Sequence, residues 1–326
     1  AICAQLRELG YDDSLDCSSL FMEIDFDGYD AYMTPEFAAR ISENYLRNIL
    51  LHYRRGPLIE RLFVMINNKC SLRCKNCDAY IPYVKDAVNY DFGRIVESCQ
   101  CALDAVGGVD TVDILGGEPM LHDRLSEILR YFIENPSVSR VTLITNGTIL
   151  PGAELVETMK SPKFVCRLSN YGKHSRRLGE IAALLGANAI RSEMTNYSQW
   201  DALPALSATN ETRRELDAKF ASCTANLFYL QDGKLFYCNV VASLTCNVRT
   251  DVLPPSPDDY LDLYEGECGG LRPDAKERIA AFAARLHTRR HIGACKYCTG
   301  SHCLQFENKV PVAEQTKERL EMPRAY

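Results

Sequence analysis

The sequence predicts an α/β protein whose core is a parallel sheet. Short apolar runs rich in β-branched residues alternate with helical segments between about residues 60 and 190. The predicted strands cover residues 61–66, 110–115, 140–145, 163–168 and 187–190. The predicted helices lie near residues 91–105, 122–134, 151–160 and 174–185. Such alternation gives right-handed crossovers, in either an open sheet or a barrel.

Composition narrows the class of protein. The chain has 326 residues, 46% of them hydrophobic and 25% charged, which excludes a disordered or fibrous protein. Lys and Arg number 37 against 43 Asp and Glu, and this balance argues against binding nucleic acid through its phosphates. No apolar run reaches the ~20 residues that a membrane span requires. No export signal is visible, so a reducing cytoplasm is the expected location.

The pattern divides the chain into three regions. Residues 1–60 are predicted to be a mostly helical extension, residues 61–205 the alternating α/β region, and residues 206–326 a smaller α+β module. Within the last region a β-hairpin is expected over residues 227–239, turning at Asp232-Gly233. A helix is expected over residues 274–287.

Cysteine is unusually abundant, with 15 residues, an odd number that cannot pair completely into disulfides. Three cysteines, Cys70, Cys74 and Cys77, follow the first predicted strand in one short loop. Three thiolates so close together can bind three corners of an iron–sulfur cube and leave the fourth iron open. A loop of buried cysteines and a zinc knuckle are the alternatives.

Polar and glycine-rich motifs follow the next predicted strands. Gly116-Gly117-Glu118-Pro119 follows the second strand, Thr145-Asn146-Gly147 the third, and Ser169-Asn170-Tyr171-Gly172 the fourth. Parallel strands end at one edge of a sheet, and in α/β folds this edge carries the chemistry. These motifs are therefore expected to surround one site.

The C-x-x-x-C-x-x-C loop, together with the Gly-Gly-Glu-Pro motif, resembles the radical S-adenosylmethionine (SAM) superfamily over residues 60–200. The resemblance implies a partial (β/α)6 barrel and a [4Fe-4S] cluster whose open iron binds SAM. It also implies cleavage of SAM to a 5′-deoxyadenosyl radical, which takes a hydrogen atom from the substrate. A reductant such as flavodoxin or ferredoxin would be a partner.

The resemblance also assigns cofactor-binding residues. SAM would be bound by residues of the three strand-end motifs and by Arg167 of the fourth predicted strand, namely Gly116, Gly117, Glu118, Pro119, Asn146, Arg167 and Ser169. Glu118 is expected to accept hydrogen bonds from the SAM ammonium group. Arg167 and Arg191 are candidates for pairing with a SAM or substrate anion, with ordinary surface arginines as the alternative. Asn76 stands where the family often has an aromatic residue, so Tyr80 or Tyr83 is expected to contact the adenine.

A second group of cysteines lies in the last third of the chain. Cys223 and Cys238 flank the predicted hairpin, and Cys295-x-x-Cys298 follows far downstream. The pattern resembles the twitch domain, a shortened SPASM domain that carries an auxiliary [4Fe-4S] cluster. Cys246, Cys268 or Cys303 could replace Cys223, and zinc in the same site is the alternative.

The remaining cysteines have two expected roles. Cys246 and Cys268 are candidate catalytic hydrogen-atom donors, together with Arg191 as a candidate catalytic residue. The others are expected to be small core residues, namely Cys3, Cys17, Cys99, Cys101 and Cys166.

The substrate is the least determined feature. Residues 310–315 and 257–263 resemble radical SAM proteins commonly encoded with sugar-modifying enzymes, and Glu314 and Gln315 are candidates for substrate contact. The leading hypothesis is oxidation or epimerisation of a sugar or cyclitol-like substrate. A peptide-modifying maturase is the second hypothesis, and a non-catalytic zinc scaffold is the third.

Overall fold

A computed structural model describes most of the chain after residue 58. The described residues are 59–204, 208–223, 226–248, 256, 258–266, 269–285, 290–298 and 309–322. They belong to one compact unit, Arg55–Tyr326. The predicted N-terminal extension, apart from its last two residues, lies outside the described residues, as do Cys3, Cys17, Cys268 and Cys303.

The central sheet has eight strands in the order β5-β4-β3-β2-β1-β7-β8-β9. Strands β1 to β5 and β7 pair in parallel, and β8 and β9 extend the sheet antiparallel. These strands are Arg61–Met65 (β1), Val109–Leu115 (β2), Val138–Thr145 (β3), Phe164–Asn170 (β4), Ser192–Asn196 (β5), Asn226–Gln231 (β7), Lys234–Cys238 (β8) and Tyr260–Asp262 (β9). The predicted α/β class with a mostly parallel sheet is confirmed.

Helices connect the parallel strands and cover the sheet. They are Phe92–Val106 (α1), Leu125–Glu134 (α2), Ala153–Met159 (α3), Leu178–Ala187 (α4), Arg213–Ser222 (α5), Asn239–Ala242 (α6) and Ala275–Arg285 (α7). Helix α1 begins where the Asp91 side chain accepts a hydrogen bond from the Arg94 N–H, and it ends at Gly107 with φ of 73°. None of the described helices has the length and apolar composition that crossing a bilayer requires.

The core lies between the sheet and these helices. Val112, Ile114 and Leu143 on β2 and β3 are completely buried, because parallel strands are covered on both faces. Three of the cysteines predicted as core residues belong to this apolar cluster, namely Cys99, Cys101 and Cys166. Asp113, which points to the other face of β2, is also completely buried and lies 3.2 Å from the Arg61 guanidinium.

The fifth strand lies later in the chain than the sequence predicts. Residues 187–190 end helix α4 and form a turn in which Ala189 has a φ of 54°, while β5 begins at Ser192. Ile190 is buried in the core, although it is not part of a strand. Strand β5 is a mostly exposed edge strand, so it lacks the apolar run that marks a buried strand.

The predicted hairpin is confirmed, and its first strand pairs with β1. The turn residues Asp232 and Gly233 have φ of 48° and 71°, as a two-residue hairpin turn requires. A separate two-stranded sheet pairs Gln199–Asp201 (β6) with Lys309–Pro311 (β10) in antiparallel register. Strand β10 opens a segment, residues 309–322, that is called the C-terminal strap below.

Candidate active site

The three cysteines after β1 lie in one wall of a cavity with a volume of about 340 Å³. The cysteine loop, residues 70–77, turns tightly, since the Cys77 N–H donates to the Cys74 carbonyl at 3.1 Å. Cys74 is 6% exposed, and Cys70 and Cys77 are half-buried. The carboxyl ends of β1 to β4 and β7 supply much of the remaining wall, as expected for the functional edge of a parallel sheet.

Two glycines allow the end of β2 to approach the chain before the cysteine loop. A Cβ atom on Gly117 would lie 2.3 Å from the Lys69 carbonyl oxygen, and one on Gly116 would lie 2.0 Å from Asn67 Oδ1. The Glu118 N–H donates to the same Lys69 carbonyl at 2.7 Å. The close approach of the protein's own chain therefore requires glycine at both positions, whether or not a ligand also lies nearby.

The Glu118 carboxylate lies behind the cavity wall. It is completely buried, and it accepts hydrogen bonds from the Met120 N–H, the Asn146 N–H and the Thr145 hydroxyl. Burial raises the pKa of Glu118 to about 7, although these donors oppose the shift. Neither Glu118 nor Pro119 lines the cavity. The carboxylate therefore ties β2 to the end of β3, and this position differs from the expected contact with the SAM ammonium group.

Five of the predicted cofactor residues besides the cysteines line the cavity, namely Gly116, Gly117, Asn146, Arg167 and Ser169. The Asn146 amide nitrogen lies 3.6 Å from Cys70 Sγ and donates to the Ser71 hydroxyl at 3.2 Å. Its Oδ1 accepts from the Thr148 N–H, which fixes the orientation of the amide. Asn146 therefore presents a hydrogen-bond donor to the cysteine loop.

The two predicted arginines lie at opposite edges of the sheet. Arg167 lines the cavity, and its guanidinium lies 3.8 Å from the Glu193 carboxylate. Arg191 is exposed and directly precedes β5, so it lies at the amino ends of the strands, away from the cavity. Arg191 does not line this cavity, and its assignment relied on a strand placed too early in the chain.

The thiols of the cysteine loop suit a cluster of several irons. Burial raises the pKa of the Cys70 thiol to about 12 and also raises the pKa of Cys74 and Cys77. Within the described residues, no three His, Cys, Asp or Glu side chains are arranged around a single metal ion. An iron–sulfur cube binds each cysteine through a different iron, so it matches thiols that share a cavity wall without converging on one point.

Comparison with protein families identifies the region that carries this site. Residues 64–172 match the model of the Radical SAM superfamily. This region of the chain is similar to the radical SAM superfamily. The family uses a [4Fe-4S] cluster and SAM, and its members are enzymes.

The alignments between this chain and its curated relatives cover only part of each relative. GTP 3′,8-cyclase of Clostridium acetobutylicum is 24% identical over 149 residues, which cover 41% of this chain and 46% of the relative. S-adenosylmethionine-dependent nucleotide dehydratase of Selenomonas ruminantium is 28% identical over 99 residues, 30% of this chain and 34% of the relative. The chain therefore spans less than half the length of these relatives.

Solved radical SAM structures also match, at low identity. BtrN in complex with AdoMet and 2-DOIA has a TM-score of 0.47 at 16% identity, covering 77% of this chain and 97% of that one. Streptococcus suis SuiB bound to S-adenosylmethionine has a TM-score of 0.38 at 18% identity, covering 50% of this chain and 40% of that one.

Four further cysteines lie near one another outside the radical SAM match, and they are called the auxiliary thiols below. They are Cys223, Cys238, Cys295 and Cys298. Cys238 is within electrostatic range of Cys223 and Cys298, and Cys295 is within range of the same two. Burial raises the pKa of the Cys295 thiol to about 12. The structure thus brings together the four cysteines that the sequence grouped.

Tyr80 lies between the cysteine loop and the auxiliary thiols. Its N–H donates to the Cys77 carbonyl at 2.8 Å, and its ring is within electrostatic range of Cys238 and Cys298. Its hydroxyl is buried and has no hydrogen-bond partner among the described residues. A cluster bound by the auxiliary thiols would offer sulfur acceptors near this hydroxyl, which fits the predicted donor set. Tyr80 and Tyr83 do not line the cavity, so the expected adenine contact does not appear.

Aromatic side chains that the sequence analysis did not assign also line the cavity. The Tyr171 ring lies 5.4 Å from the Tyr197 ring and 5.1 Å from the Trp200 ring, centroid to centroid. Asp78 and Asn239 also line the cavity, and the Asn239 amide donates to the Asp78 carboxylate at 3.2 Å. Tyr171 lies in a strand-end motif, but Tyr197 follows β5 and Trp200 lies within β6, and the sequence pattern predicts neither strand at its observed position.

Cys246, a candidate hydrogen-atom donor, lies away from the cavity. It is 6% exposed, and its thiol lies 3.8 Å from the Gln231 carbonyl oxygen in a π-helical turn, Ser243–Val248. It does not line the cavity. The structure therefore places this thiol in the core.

Proposed function

We propose that this radical SAM enzyme removes a hydrogen atom from a small polyhydroxylated substrate, such as a sugar or cyclitol, and thereby oxidises or epimerises it. The observation that carries the proposal is the cavity itself. Its lining combines the three thiols of the cysteine loop with the aromatic side chains of Tyr171, Tyr197 and Trp200. A volume of about 340 Å³ is in the range of small-molecule sites.

The cysteine loop and the adjoining strand ends would hold the cofactors. Cys70, Cys74 and Cys77 would bind the [4Fe-4S] cluster, while Asn146 and Ser169 would orient SAM. When bound, the reduced cluster and SAM supply a 5′-deoxyadenosyl radical that takes a hydrogen atom from an unactivated C–H bond. The role of the chain is to hold the C–H bond close to that radical and to exclude competing donors.

The aromatic and polar residues of the lining favour a hydroxylated substrate. Aromatic rings pack against the C–H faces of a sugar or cyclitol ring, while Asp78 and Asn239 are suited to bind hydroxyl groups. Among the described residues that line the cavity, Arg167 is the only basic one, and Glu193 lies 3.8 Å from it. This charge distribution disfavours a triphosphate, although the names of two curated relatives indicate nucleotide substrates.

An auxiliary [4Fe-4S] cluster bound by Cys223, Cys238, Cys295 and Cys298 is part of the proposal. Four thiolates would leave no iron open, which favours electron transfer over direct binding of substrate. The mutual electrostatic coupling of these thiols and the buried Tyr80 hydroxyl beside them support this assignment. An electron acceptor near the substrate radical favours oxidation over epimerisation.

The proposal is tested by measuring hydrogen transfer from labelled candidate substrates to 5′-deoxyadenosine. The anaerobically reconstituted protein is incubated with SAM, a reductant and perdeuterated sugars or cyclitols, and 5′-deoxyadenosine is analysed by mass spectrometry. We expect one deuterium in 5′-deoxyadenosine with the correct substrate. Cys74→Ala should abolish 5′-deoxyadenosine formation, while Cys166→Ala, which alters a buried thiol of the core, should retain it.

The outcomes separate the alternatives. Deuterium transfer from a peptide, with none from any sugar or cyclitol, would overturn the proposed substrate class and favour a maturase. Transfer from a nucleotide would overturn it in favour of the chemistry named for the curated relatives. Undiminished 5′-deoxyadenosine formation by Cys74→Ala would contradict the assignment of the cysteine loop.

A further inference from the structure

We infer that Gln315, on the C-terminal strap, is a positioning residue that donates a hydrogen bond to the Cys74 sulfur and raises the reduction potential of the cluster in the cysteine loop. The Gln315 amide nitrogen lies 3.1 Å from Cys74 Sγ, although 241 residues separate the two in sequence. The inference rests on the cluster that the radical SAM family supplies and is independent of the substrate proposed above.

The orientation of the Gln315 amide is determined by its neighbours. Its Oε1 accepts a hydrogen bond from the Arg73 N–H at 2.7 Å. A backbone N–H can only donate, so the oxygen must face Arg73, and the nitrogen faces the sulfur. The nitrogen also donates to the Ala313 carbonyl at 2.6 Å. Both ends of the amide are therefore fixed, and its remaining N–H points to Cys74.

Backbone pairing sets the position of the strap against the cysteine loop. Cys74 and Gln315 form an antiparallel bridge, the Lys75 N–H donates to the Glu314 carbonyl at 2.7 Å, and the Thr316 N–H donates to the Arg73 carbonyl at 2.8 Å. Beyond the bridge, the Leu320 N–H donates to the Pro82 carbonyl at 2.9 Å. Gln315 thus reaches Cys74 from a segment that is paired on both sides of the contact.

The physical effect follows from the change of charge on reduction. A reduced cluster carries one more negative charge than the oxidised cluster, and an N–H donor to a cysteine ligand stabilises that charge. Cys74 is 6% exposed, so water screens this interaction poorly. Removing the donor destabilises the reduced state and lowers the reduction potential.

The test is a redox titration of the reconstituted full chain, followed by electron paramagnetic resonance (EPR). The cluster of the cysteine loop is identified as the one whose spectrum changes when SAM is added. Gln315→Met removes the amide at nearly constant length, and Gln315→Glu keeps the acceptor for Arg73 but replaces the donor with a negative charge. Glu314→Gln is the matched control, since it changes the neighbouring strap residue and its exposed ion pair with Lys75.

We expect the potential to fall in Gln315→Met and to fall further in Gln315→Glu. At a fixed solution potential, Gln315→Met should reduce the ratio of reduced to oxidised cluster about fivefold, the effect of one ordinary hydrogen bond. Glu314→Gln should leave the potential unchanged. A wild-type potential in either Gln315 variant, at full iron content, would overturn the inference. An equal shift in all three variants would also overturn it, because that result would indicate general loosening of the strap.

Discussion

The Asn146 amide nitrogen lies 3.6 Å from the Cys70 sulfur, so the residue that follows β3 contacts the cysteine loop directly. The same nitrogen donates to the Ser71 hydroxyl at 3.2 Å, and Oδ1 accepts from Thr148. Asn146 therefore connects the cysteine loop with the segment that follows β3. Its replacement should affect both the loop and the bound cofactor.

Asn146→Asp should weaken SAM binding about tenfold, because the substitution replaces a donor beside Cys70 with a negative charge. Equilibrium dialysis of the reconstituted protein against labelled SAM measures this change. Asn170→Asp is the matched control, since Asn170 ends the neighbouring strand β4 but does not line the cavity. Equal SAM affinity in wild type and Asn146→Asp would contradict the role given to Asn146.

Gly117→Ala should displace the chain that enters the cysteine loop, because the new Cβ would lie 2.3 Å from the Lys69 carbonyl oxygen and 2.9 Å from Cys70 Cβ. We expect the iron bound after reconstitution to fall by about half, since a two-cluster protein would lose one of two cubes. Gly179→Ala is the control, as Gly179 lies within helix α4 with no atom within 4 Å of the added Cβ. Full iron content in Gly117→Ala would contradict the claim that the cysteine loop requires glycine at this position.

Strand composition explains how much of the fold the sequence predicts. Strands β1 to β4 are buried on both faces, so each one appears in the sequence as an apolar run. Strand β5 is an exposed edge strand with a polar sequence, and the apolar run at 187–190 instead closes helix α4. The misplaced strand then assigned Arg191 to the wrong edge of the sheet.

Cys298→Ala should remove the auxiliary cluster while leaving the cluster of the cysteine loop. Iron content should fall from about eight to about four atoms per chain, and SAM cleavage should persist. Cys246→Ala is the matched control, because Cys246 is buried in the core and does not line the cavity. Loss of iron in Cys246→Ala but not in Cys298→Ala would show that the ligand set is different.

Asp259 should make the free energy of unfolding depend on pH. Burial raises the pKa of Asp259 to about 6, and its carboxylate accepts from the Ala294 N–H, next to Cys295, at 2.8 Å. Between about pH 4 and 6 the folded state keeps a proton that the unfolded state has released. The contribution of Asp259 to the free energy of unfolding should therefore fall by about 2 kcal/mol as pH rises through this range and stay constant above it.

Chemical denaturation of the wild type and Asp259→Asn across pH 4–8 measures this dependence. The variant keeps an acceptor for Ala294 and cannot titrate, so its curve should be flatter than the wild-type curve. Asp201→Asn, which alters a carboxylate paired with Lys309, serves as the control. Identical pH dependence in wild type and Asp259→Asn would contradict the raised pKa.

Long-range contacts explain what the sequence leaves undetermined at the site. The cysteine loop is visible because its three thiols are close in sequence, whereas Gln315 contacts Cys74 through pairing of the C-terminal strap. The motif containing Glu118 is equally visible, but only the fold determines that three protein donors surround the carboxylate. Trp200 lies on β6, whose pairing with β10 no local pattern indicates.

The most direct measurement of the central claim is the EPR spectrum of the reduced, anaerobically reconstituted protein with and without SAM. If the cysteine loop holds a [4Fe-4S] cluster with an open iron, SAM should change the spectrum of one cluster, and Cys74→Ala should eliminate that change. A spectrum that SAM leaves unchanged, in protein containing stoichiometric iron and sulfide, would contradict the account.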